Sequence, residues 1–186
     1  MTNDAAMTLH TDLTTLLADA GLVDVDVDAA VADEHQRSAA YRRIVAAAAA
    51  TESREGDREL VARIVRDPSE MTAKTAVVDL VDRIAPRAAG PEEFRRWSAE
   101  LLPETDRFTT ESNREFVRRR VRDWQFWLGA KEGHVPAESE LAEVTPWMQR
   151  LLAEESTSAP VLALLAESGA TRKIRNIAKN RGRETG

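Results

Sequence analysis

Apolar residues recur along most of this chain at intervals of three and four residues, which is the period of one face of an α-helix. Val77, Leu80, Val81 and Ile84 follow this spacing, and the leucines of residues 8–20 repeat it. The loops between such stretches are short, and short loops make consecutive helices antiparallel neighbours. The sequence therefore predicts an all-α fold of eight or nine short-to-medium helices in stacked antiparallel hairpins, either HEAT-like or an irregular helical array.

One stretch departs from the helical period. Val and Asp alternate from Val23 to Asp28, and strict alternation is a strand signal. Six such residues with no second strand nearby would lack a pairing partner. We therefore predict an extended linker here, with Asp28 as the N-cap of a helix over residues 29–51. The run Ala46 to Ala50 in that helix predicts close packing against another backbone, because its side chains are small.

Proline and capping residues predict several helix boundaries. In Asp67-Pro68-Ser69-Glu70, Asp67 is expected to cap a helix, Pro68 to occupy its first position and Glu70 to complete a capping box. Residues 103–108 begin with proline and are expected to form a loop. A long aromatic helix should then cover about residues 112–130. Its predicted buried stripe is Val117, Val121, Trp124 and Leu128, with Phe116 and Trp127 beside it.

Charge is distributed unevenly between the two ends of the chain. Residues 1–36 hold eight acidic residues and no Lys or Arg, whereas residues 170–186 hold six basic residues and one acidic residue. Such asymmetry indicates either a charged partner or two ends that attract each other. The predicted organisation is an acidic N-terminal helix and linker (1–27), a helical domain (28–180) and a disordered tail (181–186).

Several classes of protein are disfavoured by the composition. The chain has no cysteine, which excludes disulfides and thiolate chemistry. Residues 1–22 include no basic residue, unlike the start of a secretory signal. The longest near-apolar run, residues 44–50, is far shorter than a membrane span. We expect a cytoplasmic protein that does not associate with membranes.

No motif for catalysis or for metal binding is complete. Asp24, Asp26 and Asp28 have the spacing that begins a calcium-binding loop, but Ala29 and His35 stand where that loop needs Gly and Glu. The three histidines share no ligand spacing, and no nucleotide-binding or nucleophile motif occurs. We therefore expect no catalytic residue, no metal site, no cofactor and no enzymatic activity.

Two basic segments are candidate interaction sites. Arg114, Arg118 and Arg122 lie four residues apart in the aromatic helix, so they form a ridge along one of its faces. Glu111 and Glu115 are close enough in sequence to neutralise part of that charge, so the ridge is alternatively an ion-paired solvated face.

The second basic segment is an amphipathic helix near the C-terminus. Its positive charge either stabilises the fold or binds an acidic protein surface or a nucleic acid. The sequence pI near 5.2 argues against a dedicated nucleic-acid binder. Its candidate interaction residues are Arg172, Lys173, Arg175 and Lys179.

Residues 60–84 resemble one unit of the HEAT and armadillo repeat proteins; their sequence is LVARIVRDPSEMTAKTAVVDLVDRI. In such a unit a first helix is followed by a tight turn with Asp-Pro and by a second helix with a β-branched stripe. The resemblance covers about 25 of 186 residues. It implies a scaffold that binds other proteins and performs no chemistry of its own.

The predicted function is a non-catalytic protein–protein interaction module of the helical-repeat type, whose partner is a protein with an acidic surface. One alternative is a nucleic-acid-associated protein that uses the arginine ridge and the C-terminal basic helix. Another is a small-ligand-binding protein with an aromatic pocket. The rings that would line that pocket are Trp97, Phe116, Trp124, Trp127 and Trp147.

Overall fold

The computed structural model describes residues 3–184. The all-α prediction is confirmed: 77% of the chain is helical, and residues 3–184 contain no strand. Nine of the eleven α-helices have seven or more residues, and the two short ones account for the difference from the predicted number. The helices are α1 (Asn3–Asp19), α2 (Val27–Ala32), α3 (Glu34–Ala50), α4 (Asp57–Ile64), α5 (Glu70–Ile84), α6 (Pro91–Thr105), α7 (Glu111–Lys131), α8 (Glu138–Ala142), α9 (Pro146–Glu155), α10 (Ala159–Ser168) and α11 (Arg172–Glu184), with a 3-10 turn at Ala85–Arg87.

The helices belong to two compact units. Among the described residues, the first unit joins residues 3–87 with Arg96–Arg120, and the second joins Ala88–Arg95 with residues 121–184. Helices α6 and α7 each contribute residues to both units. Residues 3–27, the described part of the acidic segment that the sequence sets apart, belong to the first unit together with α2–α5.

The core of the first unit follows the predicted apolar stripes. Leu13 of α1, Val45 of α3, Ile64 of α4 and Leu80 of α5 are all completely buried. Helix α3 packs against α5, and α1 contacts α2 and α4. Burial of one such side chain stabilises the fold by about 1.5–3 kcal/mol, so these stripes provide most of the driving force for folding.

The expected linker is present, but the capping residues around it differ from the prediction. Residues 22–26 are not helical, and α2 starts at Val27 with Asp26, not Asp28, as its N-cap. Asp33 then ends α2 and caps α3, because its side chain accepts a hydrogen bond from the backbone N–H of Gln36. The predicted single helix over residues 29–51 is therefore wrong: a second capping aspartate divides it.

Asp67 has a different role from the predicted helix cap. It is fully buried, and its Oδ2 accepts hydrogen bonds from Arg37 Nε at 2.7 Å and from the Tyr41 hydroxyl at 3.0 Å. A buried carboxylate requires such partners. Ser69 is the N-cap of α5 instead, accepting from the backbone N–H of Thr72. Asp67 thus anchors the turn before α5 to α3.

Glu70 does not complete a capping box either. Its carboxylate accepts hydrogen bonds from the backbone and hydroxyl of Thr109, from the Thr110 N–H at 3.2 Å and from Asn113 Nδ2 at 2.9 Å. The hydrogen bond from the Thr109 side chain, followed by those of its neighbours, lowers the pKa of Glu70 to about 2. Glu70 therefore stabilises the start of α7, which is distant from it in sequence.

The predicted loop at residues 103–108 begins later than expected. Helix α6 continues through Pro103 to Thr105. A proline here removes only one helical hydrogen bond, and it lies in the last turn, where the helix is about to end. The Thr105 hydroxyl also donates to the carbonyl of Leu102 at 2.7 Å, which satisfies one of the terminal acceptors.

In the second unit, Gln149 of α9 connects three segments of backbone. Its Nε2 donates to the carbonyls of Leu141 and Val144, at 3.0 Å each, and its Oε1 accepts from the N–H of Ala170 at 2.8 Å. Its side chain is buried, so these bonds form in a region of low dielectric and are individually strong. They hold the residues that precede α11.

Gly169 allows α10 and α11 to approach each other closely. A Cβ atom at this position would lie 2.5 Å from the carbonyl oxygen of Leu165 and 2.9 Å from Cγ2 of Ile174. Both distances are shorter than real contacts, so a larger residue would force the backbone to shift. Helix α11 then continues to Glu184, so residues 181–184 are helical and not the disordered tail that the sequence predicts. The last two residues of the predicted tail lie outside the described part of the chain.

Candidate interaction surface

Helix α11 buries one face and exposes a basic face. Ile174 and Ala178 are buried in the second unit, where α11 packs against α9 and α10. At 100° per residue, positions 172, 179 and 183 lie within about 40° of one another on the opposite side. The side chains of Arg172, Lys179 and Arg183 therefore form a line roughly 16 Å long. We call this line, together with Lys173, the α11 basic face.

All four side chains of the α11 basic face are exposed. Within residues 3–184 none of them has a hydrogen bond or an ion pair with another side chain. Their charges are therefore directed at solvent and are not used to hold the second unit together. The four residues are Arg172, Lys173, Lys179 and Arg183.

Two of these cations occupy an unfavourable position. Arg172 and Lys173 are the first two residues of α11, where the helix dipole presents partial positive charge. A cation in the first turn of a helix is destabilising, and an aspartate or glutamate is the residue type normally favoured there. Arg181 and Arg183 lie in the last turn, where the dipole does favour them. The dipole therefore explains the basic residues at one end of α11 only.

Arg175, which the sequence groups with these residues, is part of the fold. Its Nη1 donates to the carbonyl of Gly169 at 2.6 Å, and the side chain is half-buried. Gly169 follows the last residue of α10, so Arg175 satisfies one of the carbonyl groups at the end of that helix. We therefore exclude Arg175 from the interaction surface.

The arginine ridge on α7 differs from the α11 basic face because its members are paired. Arg114 forms an ion pair with Glu111 and donates to the carbonyl of Phe108. Arg118 Nη2 lies 2.6 Å from Asp106 Oδ1. Both pairs belong to the first unit. Arg122, in the second unit, is exposed but also takes part in an interaction. The predicted ion-paired alternative therefore describes Arg114 and Arg118.

The aromatic rings do not line one pocket. Trp124 contacts Trp127 and Trp147 edge-on in the second unit, with ring centroids 5.4 and 5.8 Å apart. Trp97 instead donates from Nε1 to Asp57 at 2.9 Å. Phe116 is 44% exposed and lies beneath the Lys74 ammonium, 5.0 Å from its ring centroid. Three tryptophans are therefore brought together, while Trp97 and Phe116 have other partners.

The first unit also contains a half-open cavity of about 450 Å³ that the sequence did not predict. Ala47 and Ala48 of α3 line it, so the alanine run forms part of a cavity wall. The prediction that this run serves close backbone packing is therefore incomplete. The run of small side chains was the available signal, since a helix face without long side chains leaves space unless a neighbour fills it.

Other kinds of site receive no support from the described residues. Within residues 3–184 no three His, Asp or Glu side chains are grouped as metal ligands. None of the helices in this range is long and apolar enough to cross a bilayer. Comparison of the chain with protein-family models, with curated proteins and with solved structures finds no match. The likeness of residues 60–84 to a HEAT unit therefore stays a prediction.

Proposed function

We propose that this chain is a non-catalytic, cytoplasmic protein–protein interaction module of the helical-repeat type, and that its α11 basic face binds an acidic surface of a partner protein. The observation that carries the proposal is the placement of Arg172 and Lys173. Both are exposed, both lack a partner within residues 3–184, and both lie where the helix dipole disfavours a cation. Side chains that break a local rule without a compensating contact are characteristic of functional surfaces.

The arrangement of the cations favours an acidic protein surface as the ligand. The chain carries a formal net charge of −6, so a phosphate backbone extending beyond α11 would meet an overall negative molecule. A compact acidic patch or segment contacts only the α11 basic face and avoids that repulsion. The pairing of Arg114 and Arg118 removes two of the cations on which the nucleic-acid alternative depends.

The scaffold part of the proposal rests on the helical hairpin at residues 60–84. Helices α4 and α5 contact each other and flank a turn that contains Asp67 and Pro68. Asp67 is fixed to α3 by its bonds to Arg37 and Tyr41, so the turn is rigidly positioned. Helical-repeat proteins present surfaces of this kind on stacked helices, and chemistry at the surface is not required.

A labelled octaglutamate peptide tests the proposed surface directly. We expect it to bind the full chain at low salt and to bind at least tenfold more weakly to the double variant Arg172→Glu with Lys179→Glu. Binding should also weaken as salt increases, because exposed charges are screened. Fluorescence anisotropy measures both effects.

A matched control separates the α11 basic face from overall charge. Arg96 and Arg119 are exposed and have no partner within residues 3–184. The double variant Arg96→Glu with Arg119→Glu changes the net charge by the same amount at other positions. It should bind the peptide like the wild-type chain. An equal loss of peptide binding in both double variants would contradict the proposal.

A labelled single strand and a labelled duplex of DNA, measured under the same conditions, test the alternative. We expect both to bind at least tenfold more weakly than the peptide. Tighter binding of either nucleic acid, lost on reversal of Arg172 and Lys179, would replace the acidic protein surface with nucleic acid as the ligand.

A further inference from the structure

The half-open cavity of the first unit has an apolar wall built from three helices. Its volume is about 450 Å³, which is within the range of small-molecule sites. Leu16 of α1, Ile44, Ala47 and Ala48 of α3, and Leu60 of α4 contribute apolar surface. Ala47 and Ala48 are half-buried, and their small side chains leave space on the face of α3 that borders the cavity. The wall can therefore receive an apolar group of moderate size.

Asp19 adds an unpaired carboxylate to the cavity lining. It is the last residue of α1, where the dipole makes negative charge unfavourable. It is exposed, and within residues 3–184 it has neither a hydrogen-bond donor nor a cation. Nothing in the fold therefore compensates this charge.

Asp57 adds a second carboxylate, and this one is buried. It is only 4% exposed, and its Oδ2 accepts hydrogen bonds from Trp97 Nε1 at 2.9 Å and Arg54 Nη1 at 3.1 Å. Its other oxygen, Oδ1, receives no donor from residues 3–184. Burial raises the pKa of Asp57, because desolvation disfavours the charged form of a carboxyl group. An added donor would stabilise its charged form.

The cations near the cavity are already engaged. Arg63 is part of the lining, but its Nη1 lies 3.3 Å from Asp12 and its Nη2 lies 3.0 Å from Glu59, and its Nε is buried without an acceptor from residues 3–184. Arg54 donates to Asp57 and to the carbonyl of Ala48 at 2.9 Å. Neither arginine has a remaining role as the counter-ion of Asp19. The cavity therefore combines apolar walls with the uncompensated negative charge of Asp19.

We propose that this cavity binds an organic cation, with an ammonium group directed at the carboxylates of Asp19 and Asp57 and an apolar body against Ala47, Ala48 and Leu60. An organic anion would meet both carboxylates and be repelled. A bare metal ion would leave the apolar wall unused. The ligand class is thus a primary amine with a short hydrocarbon chain. This site is independent of the α11 basic face.

Titration of the full chain with hexylammonium tests the proposal, with hexanol and hexanoate as neutral and anionic controls of the same chain length. In amide NMR spectra we expect hexylammonium to shift residues 16–20, 44–51 and 57–63 in the first unit. Hexanol should bind at least tenfold more weakly, and hexanoate should produce no shifts in these ranges. Equal binding of hexanol, or the absence of shifts with hexylammonium, would overturn the proposal.

Two pairs of variants locate the binding site. Ala47→Leu narrows the cavity at its alanine wall and should weaken binding, whereas Ala50→Leu makes the same change at an exposed position of α3 outside the lining and should have no effect. Asp19→Asn should weaken the binding of hexylammonium at least fivefold. Glu55→Gln, at an exposed position outside the lining, should leave this binding unchanged. Asp19→Asn keeps the test valid if Ala47→Leu does not fold. Unchanged binding in Asp19→Asn would contradict the proposed role of the carboxylate.

Discussion

Asp12 lies in the acidic N-terminal segment, is only 4% exposed and accepts hydrogen bonds from Arg63 and Arg66. Arg172, by contrast, lies in the basic C-terminal helix, is exposed and has no partner within residues 3–184. The two ends carry opposite charge, but the fold employs them differently. At the N-terminal end Asp26 and Asp33 also cap helices, and Asp24 forms an ion pair with Arg43 at 2.7 Å.

The comparison shows that charge at the N-terminal end contributes to folding, while charge on the α11 basic face is available for a ligand. An interaction between the two ends, which the charge asymmetry suggested, is not needed to account for the acidic residues. Asp12, Asp24, Asp26 and Asp33 have partners within their own unit.

The largest effect is expected at Asp12. Asp12→Ala leaves Arg66 without a carboxylate and leaves Arg63 with Glu59 alone, and we expect a loss of about 2 kcal/mol in the free energy of unfolding. The value is below that of a fully buried pair because the Arg63 and Arg66 side chains are 24% and 40% exposed. Urea denaturation measures the loss. Glu55→Ala, at an exposed position, is the control and should change stability by less than about 0.5 kcal/mol.

A smaller loss is expected at the cap between α2 and α3. Asp33→Ala removes the hydrogen bond to the N–H of Gln36, and we expect it to cost about 1 kcal/mol. Asp33→Asn retains an acceptor oxygen and should recover most of that loss. If both variants are equally unstable in urea, the capping role of Asp33 is wrong.

Glu34 provides a test by pH. The hydroxyls of Thr72 and Ser69 donate to its carboxylate at 2.6 and 2.7 Å and lower its pKa. A lowered pKa in the folded state adds stability above the unfolded-state value of about 4.3, and that stability is lost as the pH falls through the folded value. At pH 7 the wild-type chain should therefore unfold at a higher urea midpoint than Glu34→Gln. The difference between the two midpoints should shrink below about pH 4. A difference that grows on acidification would contradict this sign.

The smallest effect is expected at Arg172, and it has the opposite sign. Arg172→Glu places an acid in the first turn of α11, which we expect to raise the free energy of unfolding by about 0.3–1 kcal/mol. Arg175→Glu should destabilise the chain instead, because Arg175 donates to the carbonyl of Gly169. If both substitutions destabilise equally, Arg172 is part of the fold and the comparison between the ends fails.

Local patterns in the sequence were sufficient to predict the all-α fold and much of the core, but not every helix boundary. Val117, Val121, Trp124 and Leu128 are all buried as their spacing predicts. Helix period depends on residues three and four positions apart, so it is visible in the sequence. The predicted loop was wrong over residues 103–105, because the proline removes one hydrogen bond of a helix that ends two residues later.

Long-range pairing could not be predicted. Asp67 and Glu70 look like capping residues in their own segment, but their partners are Arg37, Tyr41 and Asn113, which are distant in sequence. The same limit applies to the candidate sites. Helical spacing places Arg175 beside the line of Arg172, Lys179 and Arg183, but it does not show that Arg175 donates to the carbonyl of Gly169. The cavity depends on three helices at once, so the alanine run alone could not reveal it.

Stability and binding can both be measured in the double variant Arg172→Glu with Lys179→Glu. We predict an unfolding free energy at or above the wild-type value and octaglutamate binding at least tenfold weaker. This result would show that the α11 basic face serves a ligand and not the fold. A double variant that unfolds more readily than the wild-type chain and binds the peptide equally well would show that these cations serve the fold instead.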